Sequence, residues 1–512
     1  MPRPYILLCS PNADPEMNEL VAPDTKWLRI WPLSILQLKT FLELNGVDVE
    51  LFDQLCEPSD YGPVLAELIA KRRPVLIGLS VMTMQLSSAL EISSTLRSLA
   101  PDIPLVWGGI HPTIEPEQTL ADPLCDYVVF GEGEYTLLDL TMRLHSGQPP
   151  ALPLPGLGFK SGAELLLGPK RPLAKLDDLP PMSYDNKYYK HYIVNINEPA
   201  MRALSPTLPP EDRWLIFPTA RGCPSRCSFC YNAIQDQSPR YRFMSPGKTL
   251  DALERIIEEN QINLFSWGDE HFFSNIARAQ AILEECIRRG IRTRWYTTIR
   301  CDVFNKPEFR SRILPLLGPS GCSRLHLGVE SGSQRVLDIL NKRITPQDIE
   351  SGVEMFKDSD IIFGMAFMSA VPGERPLDIL DTVGLWDRLF SVKMNMFIMG
   401  PFLYRPYPGT PLFKTATDLG FPRPESMREW ARTAYDARGG FKDRTLYPWV
   451  DDEHWTAIDY LMTVRSLYFS RSHDAVLSPG HVSGLEAVRE RVRSGVMDGL
   501  VDELAMHKKL AS

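Results

Sequence analysis

Residues 213–232 read RWLIFPTARGCPSRCSFCYN, and this stretch decides what fold to expect for the second half of the chain. The apolar run RWLIFPTA at 213–220 is typical of a buried strand. Three cysteines, Cys223, Cys227 and Cys230, follow it directly in a CxxxCxxC arrangement. Loops at the carboxyl ends of barrel strands are where barrel enzymes carry their chemistry. The stretch therefore predicts a first strand followed by a three-thiol site at the mouth of a barrel.

Three thiols at this spacing favour an iron–sulfur cluster over zinc. A structural zinc site uses four Cys or His ligands in paired spacing, and no second CxxC or HxxxH pair lies nearby. A fourth zinc ligand would have to come from a distance, from Cys286, Cys301 or Cys322. Three thiolates instead leave one iron of a four-iron cluster without a protein ligand. Such an iron is open to a substrate or cofactor.

The composition of the whole chain excludes several classes of protein. With 512 residues, 44% of them hydrophobic, the chain has room for two to four domains with their own cores. A formal charge of -9 with interspersed acidic and basic residues disfavours a nucleic-acid partner. The start lacks a signal-peptide pattern and no apolar run approaches a membrane span, so we expect a cytoplasmic protein without a membrane partner. Nine cysteines without a secretory signal disfavour a disulfide framework.

The alternation of apolar runs with helical patterns divides the chain into four regions. Residues 1–148 repeat a strand–helix pattern about five times, which predicts an α/β, Rossmann-like, doubly wound parallel sheet. Residues 149–212 are proline-rich and predict a linker. Residues 213–420 contain six strand-like runs, too few for a full barrel, and predict a partial (β/α)6 barrel. Residues 421–512 predict a helical carboxyl-terminal region.

The second alternating series resembles the radical S-adenosylmethionine (SAM) enzymes, which carry CxxxCxxC after the first strand of such a barrel. This resemblance covers about residues 213–420. It implies that Cys223, Cys227 and Cys230 ligate a 4Fe–4S cluster whose fourth iron binds the amino and carboxylate groups of SAM. It also implies reductive cleavage of SAM to methionine and a 5′-deoxyadenosyl radical. An electron donor such as flavodoxin or ferredoxin is then a required partner.

The same resemblance assigns SAM contacts at successive strand ends. Phe229 matches an aromatic residue beside adenine, and Asp269 or Glu270 in WGDEHFFSN matches the group that holds the SAM ammonium. Arg300 in WYTTIRCD matches a carboxylate partner, because its planar fork binds a carboxylate bidentately. Glu330 lies in a GxESGS motif; a structural ion pair between Arg300 and Glu330 is the alternative. The residues expected to contact SAM are Phe229, Asp269, Glu270, Arg300, Glu330 and Ser331.

The first region resembles the cobalamin-binding domain that precedes the barrel in cobalamin-dependent radical SAM enzymes. GLSVMTM, VWGGIHPT and VFGEGE stand at successive strand ends, where small residues permit close approach of a flat ligand. The DxHxxG motif that supplies a histidine to cobalt is absent, so we expect residues 81–86 to line its lower face and His111 to be a polar contact or a packing residue. The residues expected to contact cobalamin are Ser80, Met82, Gly108, Gly109, His111, Gly131, Glu132 and Gly133.

Together the two resemblances imply a cobalamin-dependent radical SAM methyltransferase. In the scheme they imply, one SAM methylates cobalamin and a second yields the radical. The radical takes hydrogen from an unactivated carbon, which then captures the methyl group of methylcobalamin. The implied substrate is a small molecule of the natural-product or secondary-metabolite class. The runner-up is a cyclase, ring-contraction or oxidation enzyme with the same cofactors and no methyl transfer.

Three other functions fit the sequence less well. Methylthiotransferases use three further cluster cysteines, and Cys9, Cys56 and Cys125 lack the required context. A cobalamin carrier without catalysis leaves the CxxxCxxC barrel unexplained. An electron-transfer protein uses four cysteines for each cluster.

Overall fold

The computed structural model describes residues 2–12, 31–148, 154–193, 213–234, 241–393, 395–433, 443–471 and 479–495, together with residues 499 and 503. The chain forms two compact units. The first unit comprises Met1–Val194 and Pro422–Ala437, and the second comprises Asn195–Phe421 and Arg438–Ser512. Each unit is therefore assembled from two separate stretches of sequence.

The first unit is built on one sheet of seven strands in the order β2-β1-β3-β4-β5-β6-β7. Strands β1 to β5 are parallel, as predicted, and the order of these five is that of a doubly wound sheet with its switch point between β1 and β3. Runs such as YILLC form these strands because both faces of a parallel sheet are covered. The strands are β1 (Tyr5–Ser10), β2 (Asp48–Asp53), β3 (Leu76–Ser80), β4 (Leu105–Gly108), β5 (Tyr127–Val129), β6 (Leu157–Ser161) and β7 (Glu164–Leu167).

The first five helices of the first unit connect its parallel strands, the sixth leads to the hairpin and the seventh follows it. They are α1 (Leu33–Leu44), α2 (Gly62–Lys71), α3 (Leu86–Leu99), α4 (Ile110–Ile114), α5 (Pro116–Ala121), α6 (Glu134–His145) and α7 (Tyr189–Tyr192).

The region predicted as a linker over 149–212 differs from that expectation where the structure describes it. Its hairpin β6–β7 extends the first sheet by two antiparallel strands, because Gly162 adopts a left-handed conformation at the turn. Further along, the ring of Tyr192 stacks on Trp31 with 5.0 Å between centroids. Residues 154–193 are thus part of the first unit, and the remainder of the predicted linker lies outside the described residues.

The second unit contains the predicted partial barrel. Six parallel strands follow the order β15-β14-β13-β12-β11-β8, which confirms the six-stranded prediction. A separate two-stranded ladder joins β9 to β10. The strands are β8 (Trp214–Phe217), β9 (Ala220–Arg221), β10 (Arg242–Phe243), β11 (Leu264–Trp267), β12 (Arg294–Ile299), β13 (Cys322–Glu330), β14 (Ile362–Ser369) and β15 (Met396–Leu403).

Helices between these strands begin and end at recognisable signals. The helix Ile276–Arg289 begins after Asn275, whose side chain accepts from the Arg278 backbone N–H, and ends at left-handed Gly290. None of the helices in the described residues is long and apolar enough to cross a bilayer. The helices of this part of the chain are α8 (Pro246–Asn260), α9 (Ile276–Arg289), α10 (Leu314–Leu317), α11 (Gln334–Ile339), α12 (Pro346–Glu354), α13 (Pro376–Val392) and α14 (Pro411–Asp418).

The carboxyl-terminal region is helical as predicted, but it is shared between the two units. Helix α15 (Met427–Arg432) belongs to the first unit and packs on α3, with Met427 and Trp430 buried. Helices α16 (Asp452–Arg471) and α17 (Pro479–Ser494) belong to the second unit and pack on α13. Helical periodicity shows which face of a helix is apolar but not which surface will cover it, so the division was not predicted.

One buried histidine of the barrel gives a prediction for stability against pH. The ring of His326 on β13 lies 5.0 Å from that of Tyr296 and 6.0 Å from that of Phe397. Its Nε2 has no hydrogen-bond partner within the described part of the chain. Burial lowers the pKa of His326 from 6.5 to about 4, and the charge of Arg324 adds to this.

The unfolded chain therefore takes up this proton first as the pH falls from about 6.5 towards 4. Between pH 7 and 5 the second unit is expected to lose about 2 kcal/mol through this residue. Denaturant midpoints at the two pH values should differ less for His326→Gln than for wild type. The exposed His191→Gln serves as the control. Equal pH dependence of His326→Gln and wild type would contradict the prediction.

Candidate active site

The cysteine loop after β9 is held by backbone and hydroxyl hydrogen bonds. Gly222 has φ +82°, which turns the chain into the loop. Ser228 donates its backbone N–H to Leu340 O at 2.9 Å and its hydroxyl to Ile339 O at 2.7 Å. The carbonyl of Ser228 accepts from Leu412 N at 2.9 Å. The loop is therefore fixed by the carboxyl end of α11 and by the first turn of α14 before any ligand binds.

The three thiols of this loop differ in burial and in partners. Cys227 is buried, whereas Cys223 and Cys230 are half-buried. Arg300 Nη1 donates to Cys227 Sγ at 3.1 Å, and Asn232 Nδ2 lies 3.8 Å from Cys230 Sγ. Burial raises the pKa of the Cys230 thiol to about 11, and the neighbouring thiols add to the shift. Bound iron would offset the cost of deprotonating this buried thiol, because a metal-coordinated thiol is deprotonated outright.

This donor set fits a multi-iron cluster better than a single ion. Within the ranges that the structure describes, no three His, Cys, Asp or Glu side chains converge to hold one metal ion. A four-iron cluster binds each thiolate to a different iron, so its ligands surround it instead of meeting at a point. None of the nine cysteines forms a disulfide, and the zinc interpretation with Cys286, Cys301 or Cys322 as fourth ligand gains no support within the described residues.

Asp269 and Glu270, the two candidates for the SAM ammonium, have different surroundings. Asp269 is buried and accepts from the backbone N–H groups of Thr219 at 2.5 Å and Ala220 at 2.7 Å. Arg278 Nη1 lies 3.5 Å from its Oδ2, and both side chains are buried. Burial raises the pKa of Asp269, against the effect of Arg278 and these donors. The carboxylate of Asp269 thus ties β8 to β11 and is already occupied.

Glu270 is exposed and accepts from the Tyr231 hydroxyl. The protein around its carboxyl still desolvates it and raises its pKa. Of the two acidic residues, Glu270 is therefore the one that is exposed and that we expect to contact a ligand.

The two substitutions Asp269→Asn and Glu270→Gln are expected to separate these roles. Asp269→Asn breaks a buried, hydrogen-bonded ion pair and should lower the free energy of unfolding by about 3–5 kcal/mol. Glu270→Gln should change it by less than about 0.5 kcal/mol, while weakening SAM binding about tenfold through the lost charge-assisted contact. Denaturant unfolding and equilibrium dialysis with SAM measure the two effects. A stable Asp269→Asn protein that fails to bind SAM would reverse the assignment.

Arg300 lies at the cluster loop and is not paired with Glu330. Its Nε donates to Asp302 Oδ1 at 3.0 Å, and its Nη2 donates to the backbone carbonyl of Lys342. With Nη1 on Cys227, each of its three nitrogens has a partner. The structural ion pair suggested as an alternative is therefore absent, although a different one, with Asp302, is present.

Glu330 ends β13 with φ +71°, a left-handed conformation that is rare for a residue with a side chain. Lys342 Nζ donates to its Oε1 at 3.0 Å, and both side chains are largely buried. Burial opposes the charged form of Lys342, but Glu330 and the Cys227 thiol together raise its pKa above the ordinary value. Strained backbone of this kind persists where the surrounding structure imposes it, and it clusters at functional sites.

Two further residues predicted to contact SAM are less informative. Ser331 is fully buried, with its hydroxyl 3.2 Å from Thr382 Oγ1 and accepting from Ser333 N at 3.1 Å. Phe229 is half-buried in the cysteine loop. The fold accounts for the hydroxyl of Ser331, and the adenine contact of Phe229 stays a prediction.

Residues predicted to contact cobalamin come together at the carboxyl edge of the first sheet. Val81 N donates to Gly108 O at 2.8 Å, and His111 N donates to Val81 O at 3.2 Å. Gly109 has φ +100°, and a Cβ placed on it would lie 2.7 Å from the backbone N and O of Val81. Only glycine fits at this crossing of two loops. The neighbouring Ser80 hydroxyl lies 2.8 Å from that of Ser34.

Around this crossing the edge is open and partly apolar. Met82 is 43% exposed and Ile110 36% exposed, and each lies two residues after the end of a strand, β3 and β4 respectively. Gly131 donates to Thr113 Oγ1 at 3.0 Å, and a Cβ on Gly131 would meet nothing within 4 Å. Glu132 and Gly133 continue this loop into α6. A flat ligand with apolar surface fits this edge.

His111 lies inside the first unit instead of on this edge. Its ring is fully buried, with Nδ1 3.1 Å from Thr83 Oγ1 and an edge-on contact to Trp430. Burial lowers the pKa of His111 to about 3, so the ring is neutral. Packing accounts for His111, and a direct contact to cobalamin stays a prediction.

Models of known protein families match the two regions of the chain that contain these sites. Residues 28–141 match the B12-binding domain model, and residues 217–385 match the radical SAM superfamily model. The chain belongs to the cobalamin-dependent radical SAM enzymes. Its cofactors are therefore cobalamin, a 4Fe–4S cluster and SAM.

Individual proteins similar to this radical SAM enzyme include two curated relatives. It is 27% identical over 394 residues to an uncharacterised methyltransferase of Pyrococcus horikoshii, covering 75% of this chain and 78% of the relative. It is 25% identical over 397 residues to the anaerobic magnesium-protoporphyrin IX monomethyl ester cyclase of Rubrivivax gelatinosus, covering 76% of this chain and 67% of the relative.

Among solved structures, the radical SAM methyltransferase TsrM of Kitasatospora setae, with cobalamin and a [4Fe-4S] cluster bound, has a similar fold. Its TM-score is 0.66 at 20% sequence identity, over 97% of this chain and 100% of that chain. At this identity the likeness shows the fold alone.

Three residues of the barrel site were not predicted from the sequence. Arg278 supports Asp269, Tyr231 contacts Glu270, and Lys342 connects Glu330 to Arg300. Tyr231 stands directly after the last cluster cysteine, and this proximity was an available signal. For Arg278 and Lys342 the sequence carries no such signal, because each lies in an ordinary helix or loop.

Proposed function

We propose that this enzyme transfers a methyl group from SAM to an unactivated carbon of a small molecule. The observation that carries the proposal is that one chain provides both a three-thiol barrel site and an open, glycine-lined edge on a B12-binding sheet. The cluster supplies the electron that cleaves SAM, and cobalamin carries the methyl group. Similarity to a methyltransferase over three quarters of the chain supports the same reaction.

In this proposal the residues of the chain position the reactants. The fixed cysteine loop holds the three thiols, and the accessible carboxylate of Glu270 accepts from the SAM ammonium. Gly109 keeps the loop crossing on the first sheet thin enough for a flat ligand to lie on it. Holding reactants in a productive geometry is the main contribution a protein makes to cofactor chemistry.

A cyclase or oxidation enzyme with the same cofactors is the second candidate. The similarity to the magnesium-protoporphyrin cyclase, nearly as extensive as that to the methyltransferase, favours it. The two candidates differ in what becomes of SAM. Methyl transfer to an unactivated carbon leaves S-adenosylhomocysteine from one SAM and methionine and 5′-deoxyadenosine from a second, whereas radical cleavage alone leaves only methionine and 5′-deoxyadenosine.

Anaerobic turnover with a low-potential reductant and SAM bearing a trideuterated methyl group tests the proposal. The protein is purified from cells supplied with the vitamin and its cluster is reconstituted. We expect about one cobalamin per chain. We also expect labelled methyl in the corrin fraction and S-adenosylhomocysteine, and both should form only in protein that contains cobalamin. Production of 5′-deoxyadenosine without S-adenosylhomocysteine in cobalamin-loaded protein would favour the second candidate. Protein that contains the cluster but binds no cobalamin would contradict both the methyltransferase and the second candidate.

A further inference from the structure

Two positive side chains approach the same cluster thiol, Cys227. Arg300 Nη1 donates to its Sγ at 3.1 Å. The ammonium of Lys342 is within electrostatic range of the same sulfur. Arg300 Nη2 also donates a hydrogen bond to the backbone carbonyl of Lys342. At Cys230 the hydrogen-bond partner is instead the neutral amide of Asn232, at 3.8 Å, whereas Cys223 is also within electrostatic range of Arg300. The thiols of Cys227 and Cys230 thus differ in the charge of their hydrogen-bond partners.

Arg300 uses one donor on each of its three nitrogens in this arrangement. Asp302 orients Nε, and the Lys342 carbonyl orients Nη2, so the fork is aimed at Cys227 before SAM enters. The carboxylate role expected from the sequence would fall to the two N–H groups that remain, one on Nη1 and one on Nη2. The geometry instead makes the thiolate its primary acceptor.

Lys342 is held just as firmly. Its side chain is 4% exposed, and its ammonium donates to Glu330 Oε1 at 3.0 Å. The backbone of Glu330 is itself strained. The ammonium still interacts with the Cys227 sulfur although Glu330 contacts it, because the charge of this sulfur also helps to raise the pKa of Lys342. A cation so poorly solvated exerts a strong field on neighbouring sulfur.

We propose that Arg300 and Lys342 are positioning residues that raise the reduction potential of the cluster by stabilising its reduced state. Reduction moves one electron from a low-potential donor, flavodoxin-like in class, to the cluster, and no proton or bond changes hands. The added negative charge is stabilised by cations and hydrogen bonds at the ligand sulfurs, which are established determinants of cluster potentials. The inference rests on the cluster that the proposed function requires, but not on methyl transfer.

The test is a redox titration of the reconstituted protein followed by electron paramagnetic resonance, without SAM, cobalamin or substrate. Arg300→Gln and Lys342→Met each remove one charge. We expect each to lower the equilibrium constant for reduction at least tenfold, a shift of about 59 mV for one electron. Lys342→Arg, which keeps the charge, should stay within threefold of wild type.

Lys393→Met is the matched control. Lys393 is also a buried lysine of the second unit, but it donates to the carbonyls of Phe356 and Ser359. Its removal should leave the potential unchanged, which separates charge at the cluster from general effects of losing a buried lysine.

Each outcome decides the inference. Unchanged potentials in Arg300→Gln and Lys342→Met, with SAM affinity lost in Arg300→Gln, would overturn it and restore the carboxylate role. Loss of the cluster from both variants would also overturn it, because these residues would then assemble the cluster instead of tuning it. If only Arg300→Gln loses its cluster, the reduction potential of Lys342→Met decides whether the inference holds. If the variants show shifted potentials but the wild-type enzyme transfers no methyl group, the proposed function is contradicted and this inference is still supported.

Discussion

Replacing Cys227 with alanine is expected to remove the iron–sulfur cluster and to lower turnover at least about 10³-fold. Cys227 is the most buried of the three thiols and the acceptor for Arg300, so its loss removes a ligand and leaves a buried guanidinium donor without its sulfur. Iron and sulfide analysis, together with the visible absorption of the reconstituted protein, measures the cluster. Cys223→Ala and Cys230→Ala are expected to give the same result.

Cys286→Ala is the control for this experiment. Cys286 is buried on α9, and it is a free thiol like the others. Its truncation should cost some stability but leave iron content and absorption at the wild-type level. Wild-type cluster content in Cys227→Ala would contradict the ligand assignment.

Gly109→Ala is expected to destabilise the first unit by at least about 3 kcal/mol and to abolish cobalamin retention. The backbone of Gly109 has φ +100° and ψ −167°, a region that is essentially restricted to glycine. The added methyl would also lie 2.7 Å from two backbone atoms of Val81, which cannot move without disrupting the loop crossing. Denaturant unfolding of the first unit and cobalamin stoichiometry report the two effects.

Gly46→Ala distinguishes backbone strain from the steric clash. Gly46 has φ +81°, but a Cβ there would meet nothing within 4 Å. Its substitution should cost only about 1–2 kcal/mol and leave cobalamin bound. If the two variants lose equal stability, close approach at Gly109 is not what selects glycine.

The main features of the fold were predictable because they depend on local patterns. Alternating apolar runs and helical segments predicted both parallel sheets, and the position of Cys223 after a strand predicted the cluster loop. The hairpin β6–β7 was missed although LGFKSGAELLL contains its turn, because the surrounding prolines suggested an irregular linker. Patterns with a period of two or 3.6 residues report burial, and they do not report which strand a segment joins.

The site was predictable by residue type but not by partner. Asp269 and Glu270 are adjacent acidic residues with equal claims from the sequence, yet one is enclosed by Thr219 and Arg278 and the other is exposed. That difference arises from strand order and from the first turn of α9, which are properties of the assembled barrel. The cytoplasmic location and the electron donor stay predictions.

The return of α15 to the first unit affects the order in which the protein can fold during synthesis. Met427 and Trp430 complete the packing over α3 and His111, but the ribosome makes them only after the barrel strands. Domains generally fold from the amino terminus as they emerge. Here the first unit stays incomplete, with an apolar surface uncovered, until the six-stranded barrel has been synthesised. The nascent cobalamin domain is therefore expected to be more open to proteases and chaperones than the finished one.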